Sequence, residues 1–261
     1  MAKIRKKINI LLFISIIALI LCGFCFLMRK PEDFQDIRNS PSKIAIILSG
    51  RIKGYTNVQS NLLNIQKKYN ATIFCSLNNK IKSNYIKTFC KLFNITDKQL
   101  NLEKTIVPEW VYKLNKEVET EYDPSYSMFY HINRAFNLVE KFQNENNINF
   151  DCVLFYRADI ESKDVIPLTI PDNNTIYIPS GFDYRGINGL VAYGDFKSMK
   201  KYSYIVNHIK YLCSHKGVSF NPEVILKAHL ESEKLDIKRF EYVFNLHHSR
   251  HTCIPEYDSY E

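Results

Sequence analysis

The chain has 261 residues, 46% of them hydrophobic and 24% charged, which is a globular composition and excludes a disordered chain. That length allows one domain of ordinary size or two small ones, with a core that needs no disulfide staples. The net charge is +8, but Lys3, Arg5, Lys6, Lys7, Arg29 and Lys30 place +6 in residues 1–30, which hold no acid. Residues 31–261 therefore carry only +2 and show no basic cluster, which argues against a nucleic-acid binder.

From the N-terminus, Ile8 to Met28 is an apolar run interrupted only by Asn9 and Ser15. It is long enough to cross a bilayer as a helix, and the preceding basic cluster keeps residues 1–7 on the cytoplasmic side. A cleaved signal peptide is the alternative. Its apolar stretch would be shorter and end in small residues, whereas this one ends Phe-Cys-Phe-Leu-Met. Leu21 before Cys22 also spoils a lipoprotein site. Cys22 and Cys25 lie inside the apolar run, where packing is the plain reading of their spacing. Residues 29–42 read as a polar stem broken by Pro31 and Pro41. A single domain over residues 43–261 follows, on the non-cytoplasmic side. Sequons at Asn70, Asn94 and Asn173 fit that side, though an Asn-rich chain makes sequons by chance.

Within the domain, residues 43–48 (Lys-Ile-Ala-Ile-Ile-Leu) have the continuous apolar pattern of a strand buried on both faces. A helix follows to about Tyr69, a second strand over 71–77 and a second helix over 83–93. Residues 96–124 are less regular and read as a lid or acceptor loop. The strongest helix covers 125–146, where Met128, Phe129, Ile132, Ala135, Phe136, Val139 and Phe142 make one apolar stripe. Asp123 or Ser125 is its N-cap candidate. Residues 152–156 form another buried strand, and shorter strands are predicted at 176–178 and 189–193. Helices over 196–213 and 222–233 and a last strand over 237–244 complete the chain. Alternating strands and helices with no interior linker predict an α/β fold with a mostly parallel sheet. Of the five cysteines in the domain, Cys75 and Cys152 are expected free in buried strands. Cys90 has no assigned partner, and a Cys213–Cys253 pair is left open. No cysteine spacing suggests zinc.

Ligands of open parallel sheets bind beyond the carboxyl ends of the strands, and three polar segments fall there. Ser49-Gly50-Arg51-Ile52-Lys53 follows the first strand. Gly50 permits close backbone approach, and Arg51 and Lys53 suit a diphosphate, although the turn is neither a P-loop nor a dinucleotide fingerprint and can equally be a solvated turn. Arg157-Ala158-Asp159 follows the 152–156 strand. Asp159 can hold Mg2+ or Mn2+ on a nucleotide diphosphate, or simply cap a turn. His247 and His248 are candidate metal ligands or plain surface histidines, and Arg250 beside them can meet a phosphate. Glu223, in Asn221-Pro222-Glu223, opens a helix and is either a general base or a first-turn acid that complements the dipole.

In this order these pieces resemble a family of glycosyltransferases with a GT-A-like fold, found in large DNA viruses, algae and bacteria, often in surface-glycan contexts. The resemblance spans most of residues 43–250. It is carried by Ile-Leu-Ser-Gly-Arg at 47–51, Tyr-Ser-Met-Phe-Tyr-His-Ile at 126–132 and Leu-Phe-Tyr-Arg-Ala-Asp-Ile at 154–160. Gly-Ile-Asn-Gly-Leu-Val-Ala-Tyr-Gly at 186–194 and Asn-Pro-Glu at 221–223 complete it. It implies a Rossmann-related, mostly parallel sheet flanked by helices. Asp159 stands where such enzymes keep a D-x-D metal motif, but the first position here is Arg157, leaving one carboxylate for Mn2+ or Mg2+. Asn188 matches the family's loop, whereas Gly189 replaces its usual Asp.

The expectation is a type II membrane glycosyltransferase that moves a sugar from a nucleotide-sugar to a glycan hydroxyl. Ser49, Gly50, Arg51, Arg157, Asp159 and Asn188 would bind the donor. Asp183 and Glu223 are the candidate catalytic carboxylates, and Asp159, His247 and His248 the candidate metal ligands. Tyr126, Ser127 and Tyr130 are placed to shape the site. The rival reading is an inactive relative that binds glycan or protein. A sulfotransferase is disfavoured by the missing phosphate-binding loop.

Overall fold

Strands that are apolar on both faces must be covered on both, and this requirement organises the chain. The computed structural model describes residues 41–49, 55–78, 81, 83–114, 124–246 and 252–253. The chain divides into two units at Ser40–Pro41, and the description below concerns the second. The 8–28 run lies outside the described residues. Among the described residues no helix is long and apolar enough to cross a membrane.

Strand β1 (Ile44–Ser49) leads through α1 (Tyr55–Tyr69) to β2 (Thr72–Leu77), then through α2 (Ser83–Phe93) and a single 3-10 turn (Asp97–Gln99) to β3 (Leu100–Leu102). Helices α3 (Glu109–Leu114) and α4 (Pro124–Asn146) precede β4 (Cys152–Arg157), β5 (Ile160–Glu161), β6 (Thr175–Pro179) and β7 (Val191–Gly194). Helices α5 (Phe196–Ser203), α6 (Ile205–His215) and α7 (Pro222–Ser232) then lead to β8 (Asp236–Phe240), β9 (Phe244–Leu246) and β10 (Thr252–Cys253). The central sheet has seven strands in the order β3-β2-β1-β4-β7-β6-β8. Its pairings are parallel except those made by β7, which runs against β4 and β6. The fold is therefore α/β and Rossmann-like, with helices on both faces. A small antiparallel sheet, β10-β9-β5, stands beside it.

Alternation along each strand sorts the core into two layers. Ile44, Ile46 and Leu48 of β1 join Leu62 and Ile65 of α1 and Phe89 and Phe93 of α2. Ala45 and Ile47 join the other layer, made by Phe129, Ile132, Ala135, Phe136 and Val139 of α4 with residues of α5, α6 and α7. The expected α4 stripe is thus the central covering element, with those five residues fully buried. Three helices end on an asparagine in the left-handed region, Asn70, Asn94 and Asn147, with φ of 47°, 54° and 50°. That is the chain's substitute for C-terminal glycine. All three sequon asparagines are exposed.

Three expectations need correction, and one pairing left open is answered. The 96–124 stretch is not only a loop, because it supplies the edge strand β3 and helix α3. Helix 196–213 is two helices, broken at Tyr204. There the Ser203 hydroxyl bonds back to the Lys200 carbonyl at 2.9 Å, a contact that bends helices. The 237–244 strand is also two, since β8 extends the main sheet whereas Phe244 turns away to pair β9 with β5. Cys213 is a free, buried thiol, like Cys75 and Cys152, so it makes no pair with Cys253. Asp123 lies outside the described residues, and the predicted boundary holds to within one residue at Pro124.

Candidate functional site

The carboxyl edge of the sheet changes from apolar to polar in one step. Ser49 of β1 is in register with Ser76 of β2 on one side and Arg157 of β4 on the other, and Ser76 is in register with Asn101 of β3. By strand alternation Ser49, Ser76 and Arg157 share the face covered by α4 to α7. A polar row thus crosses four parallel strands where the Rossmann-like class binds its ligands. Ser49 is fully buried, and its Oγ has no partner among the described residues. Gly50 and Arg51 lie outside the described residues, as do His247 and His248. The strand that leads to those histidines, β9, pairs its last residue Leu246 with Ile160, next to Asp159.

Arg157 and Asp159 form a fork: Nε donates to Oδ1 at 2.9 Å and Nη2 to Oδ2 at 2.6 Å. Both side chains are largely shielded, so the pair is stronger than an exposed one. Each carboxylate oxygen of Asp159 thereby accepts one hydrogen bond from Arg157. Among the described residues, no group of three ligating side chains includes Asp159. A Mn2+ or Mg2+ ion held by Asp159 would therefore draw the rest of its shell from water and donor oxygens, or from residues outside the described ones.

Glu223 approaches the same edge from α7. Asn221 caps that helix, its Oδ1 accepting from the backbone N–H of Glu223 at 3.1 Å and of Val224 at 3.0 Å, and Pro222 occupies the first turn. This is the start signal expected for a helix. Glu223 is half-buried, and burial pushes its carboxyl pKa up. The Arg157 charge pulls the other way, and the Asp183 charge adds to the rise. Arg157, Asp183 and Glu223 are thus within electrostatic reach of one another. A half-buried carboxylate with raised pKa beside a polar sheet edge is suited to accepting a proton.

The loop between β6 and β7 braces this arrangement. Gly181, Phe182, Tyr184 and Arg185 all have positive φ, at 92°, 58°, 41° and 68°. Three of these are not glycine, a conformation that is unfavourable unless the surroundings enforce it. Asp183 enforces it: Oδ1 accepts from the Asn188 N–H at 3.0 Å and Oδ2 from Arg239 Nη2 at 2.7 Å. Asn188 is buried and donates Nδ2 to the carbonyls of Pro179 at 2.6 Å and Gly181 at 2.8 Å. Asp183 and Asn188 thus have their side chains occupied by the loop itself, the end of β6 and Arg239 of β8. Their placement is that of residues that shape the site, with Glu223 left as the carboxylate not tied into an ion pair among the described residues. The Ile187 N–H also donates to the Glu223 carbonyl at 3.0 Å, joining loop to helix.

Beside this cluster lies a buried network of which the sequence reading singled out only Ser127. Ser76 Oγ meets His131 Nδ1 at 2.8 Å, Thr105 Oγ1 meets His131 Nε2 at 2.9 Å, and Thr105 meets Ser127 at 2.8 Å. Burial depresses the His131 pKa to about 4, so the ring is neutral. The available signal was a lone histidine set within the apolar stripe of α4. Of the aromatic residues expected to shape the site, Tyr126 is buried against Trp110, and Tyr130 stacks with Tyr126 and lies under Arg134.

No protein-family model matches the chain, and no curated protein matches it.

Proposed function

We propose that the chain is a glycosyltransferase that moves a sugar from a nucleotide-sugar donor to a glycan hydroxyl, held by residues 8–28 in a membrane with its catalytic domain on the non-cytoplasmic side. The observation that carries the reading is that Glu223, at the start of α7, lies within charge range of Arg157, which forks to Asp159 at the carboxyl edge of a mostly parallel sheet. The segments that resemble glycosyltransferases, at 154–160, 186–194 and 221–223, are the ones that build this meeting. In the reaction, the acceptor oxygen bonds to the anomeric carbon as the bond to the donor diphosphate breaks. Glu223 takes the hydroxyl proton, and the diphosphate leaves with the electron pair. Arg157 is placed to meet that charge through Nη1, which no described residue takes. Asp159 holds the guanidinium plane through the other two nitrogens.

One observation favours a second reading, a glycan- or protein-binding module without turnover. Asp159 is forked to Arg157, and Gly189 supplies no carboxylate. Release of nucleoside diphosphate by the full-length protein, across a panel of UDP- and GDP-sugars with and without added Mn2+ or Mg2+, separates the two. Turnover of at least one donor is expected, and Glu223→Gln should lower kcat at least 100-fold, within the range for a general base, while nucleotide affinity is retained. Nucleotide binding without turnover in the wild type would support the binding module. No nucleotide binding at all would sink the transferase reading and leave the binding module.

A further inference from the structure

At the far end of α7 from Glu223, three ligating side chains converge from two helices. His208 of α6 and His229 of α7 place their Nδ1 atoms 3.2 Å apart, and Glu233, the C-cap of α7, brings Oε1 to 3.5 Å from His208 Nδ1. All three ligand atoms lie within 4.8 Å of one another. We propose that His208, His229 and Glu233 bind a divalent transition-metal ion, Zn2+ by their donor set, which clamps the C-terminal end of α7 to α6.

The tautomer of His229 supports this. Its Nε2 lies 2.8 Å from the Lys201 carbonyl, which can only accept, so Nε2 carries the proton and Nδ1 presents a lone pair. That carbonyl lies in the last turn of α5, where it also accepts from the Tyr204 N–H at 3.1 Å. His229 is fully buried. Metal-binding histidines are commonly oriented in this way, with the distal N–H on a backbone carbonyl.

The remaining atoms are short of protons. The lone pair of His229 and the carboxylate of Glu233 both face His208 Nδ1, which carries at most one hydrogen and cannot serve both. A cation satisfies all three at once. Zn2+ held tetrahedrally at about 2.0–2.1 Å has ligand-to-ligand edges of about 3.3–3.4 Å, close to the 3.2 and 3.5 Å present. Two imidazoles and a carboxylate suit Zn2+ better than Mg2+ or Ca2+. His208 and Glu233 are partly exposed, so water can complete the shell. Glu223 and Glu233 are ten residues apart, about 15 Å along the helix, so the ion would not touch the Arg157–Asp159 edge.

The test uses full-length protein stripped with EDTA and titrated with Zn2+ alone, read by calorimetry, metal content and melting temperature. One equivalent should bind and raise the melting temperature. His208→Ala and Glu233→Gln should each weaken binding at least tenfold while leaving the melting temperature in EDTA near that of wild type. Zinc held by stray thiols would bind both variants as it binds wild type. The proposal is overturned if no zinc binds, or if either variant keeps wild-type affinity, which would leave an ordinary hydrogen bond between the two histidines.

Discussion

Gly186 lies so close to the first turn of α7 that a Cβ there would sit 2.1 Å from the backbone carbon of Glu223 and 2.4 Å from the backbone nitrogen of Val224. Backbone cannot step aside as a side chain can, so the contact sets how near the β6–β7 loop comes to Glu223. Gly186→Ala should therefore destabilise the fold by about 2 kcal/mol or more, a fall of at least about 5 °C in melting temperature. Gly189 provides the internal comparison. Its nearest neighbours would be the Leu226 and Met128 side chains at 3.4 and 3.7 Å, an ordinary packing distance. Gly189→Ala should melt within about 2 °C of wild type, and equal losses for the two variants would refute this account of Gly186. The nearby carboxylates divide by environment: Asp159 and Asp183 are each tied to an arginine, whereas Glu223 has no ion-pair partner among the described residues and a raised pKa.

Helix α4 is the element through which sheet edge and core communicate. Its apolar stripe packs on β1 and β2, while Ser127 and His131 interrupt that stripe to reach Thr105 and Ser76. Burial, not the hydrogen bonding, keeps the ring of this network neutral. Burial is the main cause of the low His131 pKa and Arg134 adds to it, while the Glu103 charge opposes. With a folded value of about 4 and an unfolded value of about 6.5, the unfolded chain binds the extra proton first as pH falls. The stabilisation is therefore complete above pH 6.5 and is lost between pH 6.5 and 4, by about 3 kcal/mol. Melting temperature against pH should fall across that window, and His131→Gln should flatten the slope. His229, depressed in the same direction, accounts for a remaining part of the fall. An unchanged slope in the variant would show that the ring does not carry it.

At the scale of the whole molecule, both core layers draw their residues from positions 44 to 244. The first backbone of this unit is tied down by Asp151, which accepts from the N–H groups of Ser42 and Lys43 at 3.1 and 3.0 Å. A chain beginning at Asp36 should be soluble and melt cooperatively, while the full-length protein should stay in the membrane pellet on alkaline carbonate extraction. Aggregation of the shorter chain would mean that its core needs residues 1–35, and release of the full-length protein would count against the anchor. Sequence by itself determined the elements whose burial is written locally: β1, β2 and β4 as unbroken apolar runs, α4 as a stripe, and α7 by its Asn-Pro-Glu start. It also brought Arg157, Asp159 and Glu223 forward, because strand ends and helix starts can be read from neighbouring residues. Tertiary structure alone decided the reversed β7, the division of the last strand between two sheets, and the register that aligns Asn101, Ser76, Ser49 and Arg157. It alone decided that Arg157 occupies Asp159, that Asp183 braces a loop, and that His208 meets His229. Local periodicity reports which face of an element is buried, whereas pairing partners far apart in the chain are selected only when all faces are packed at once.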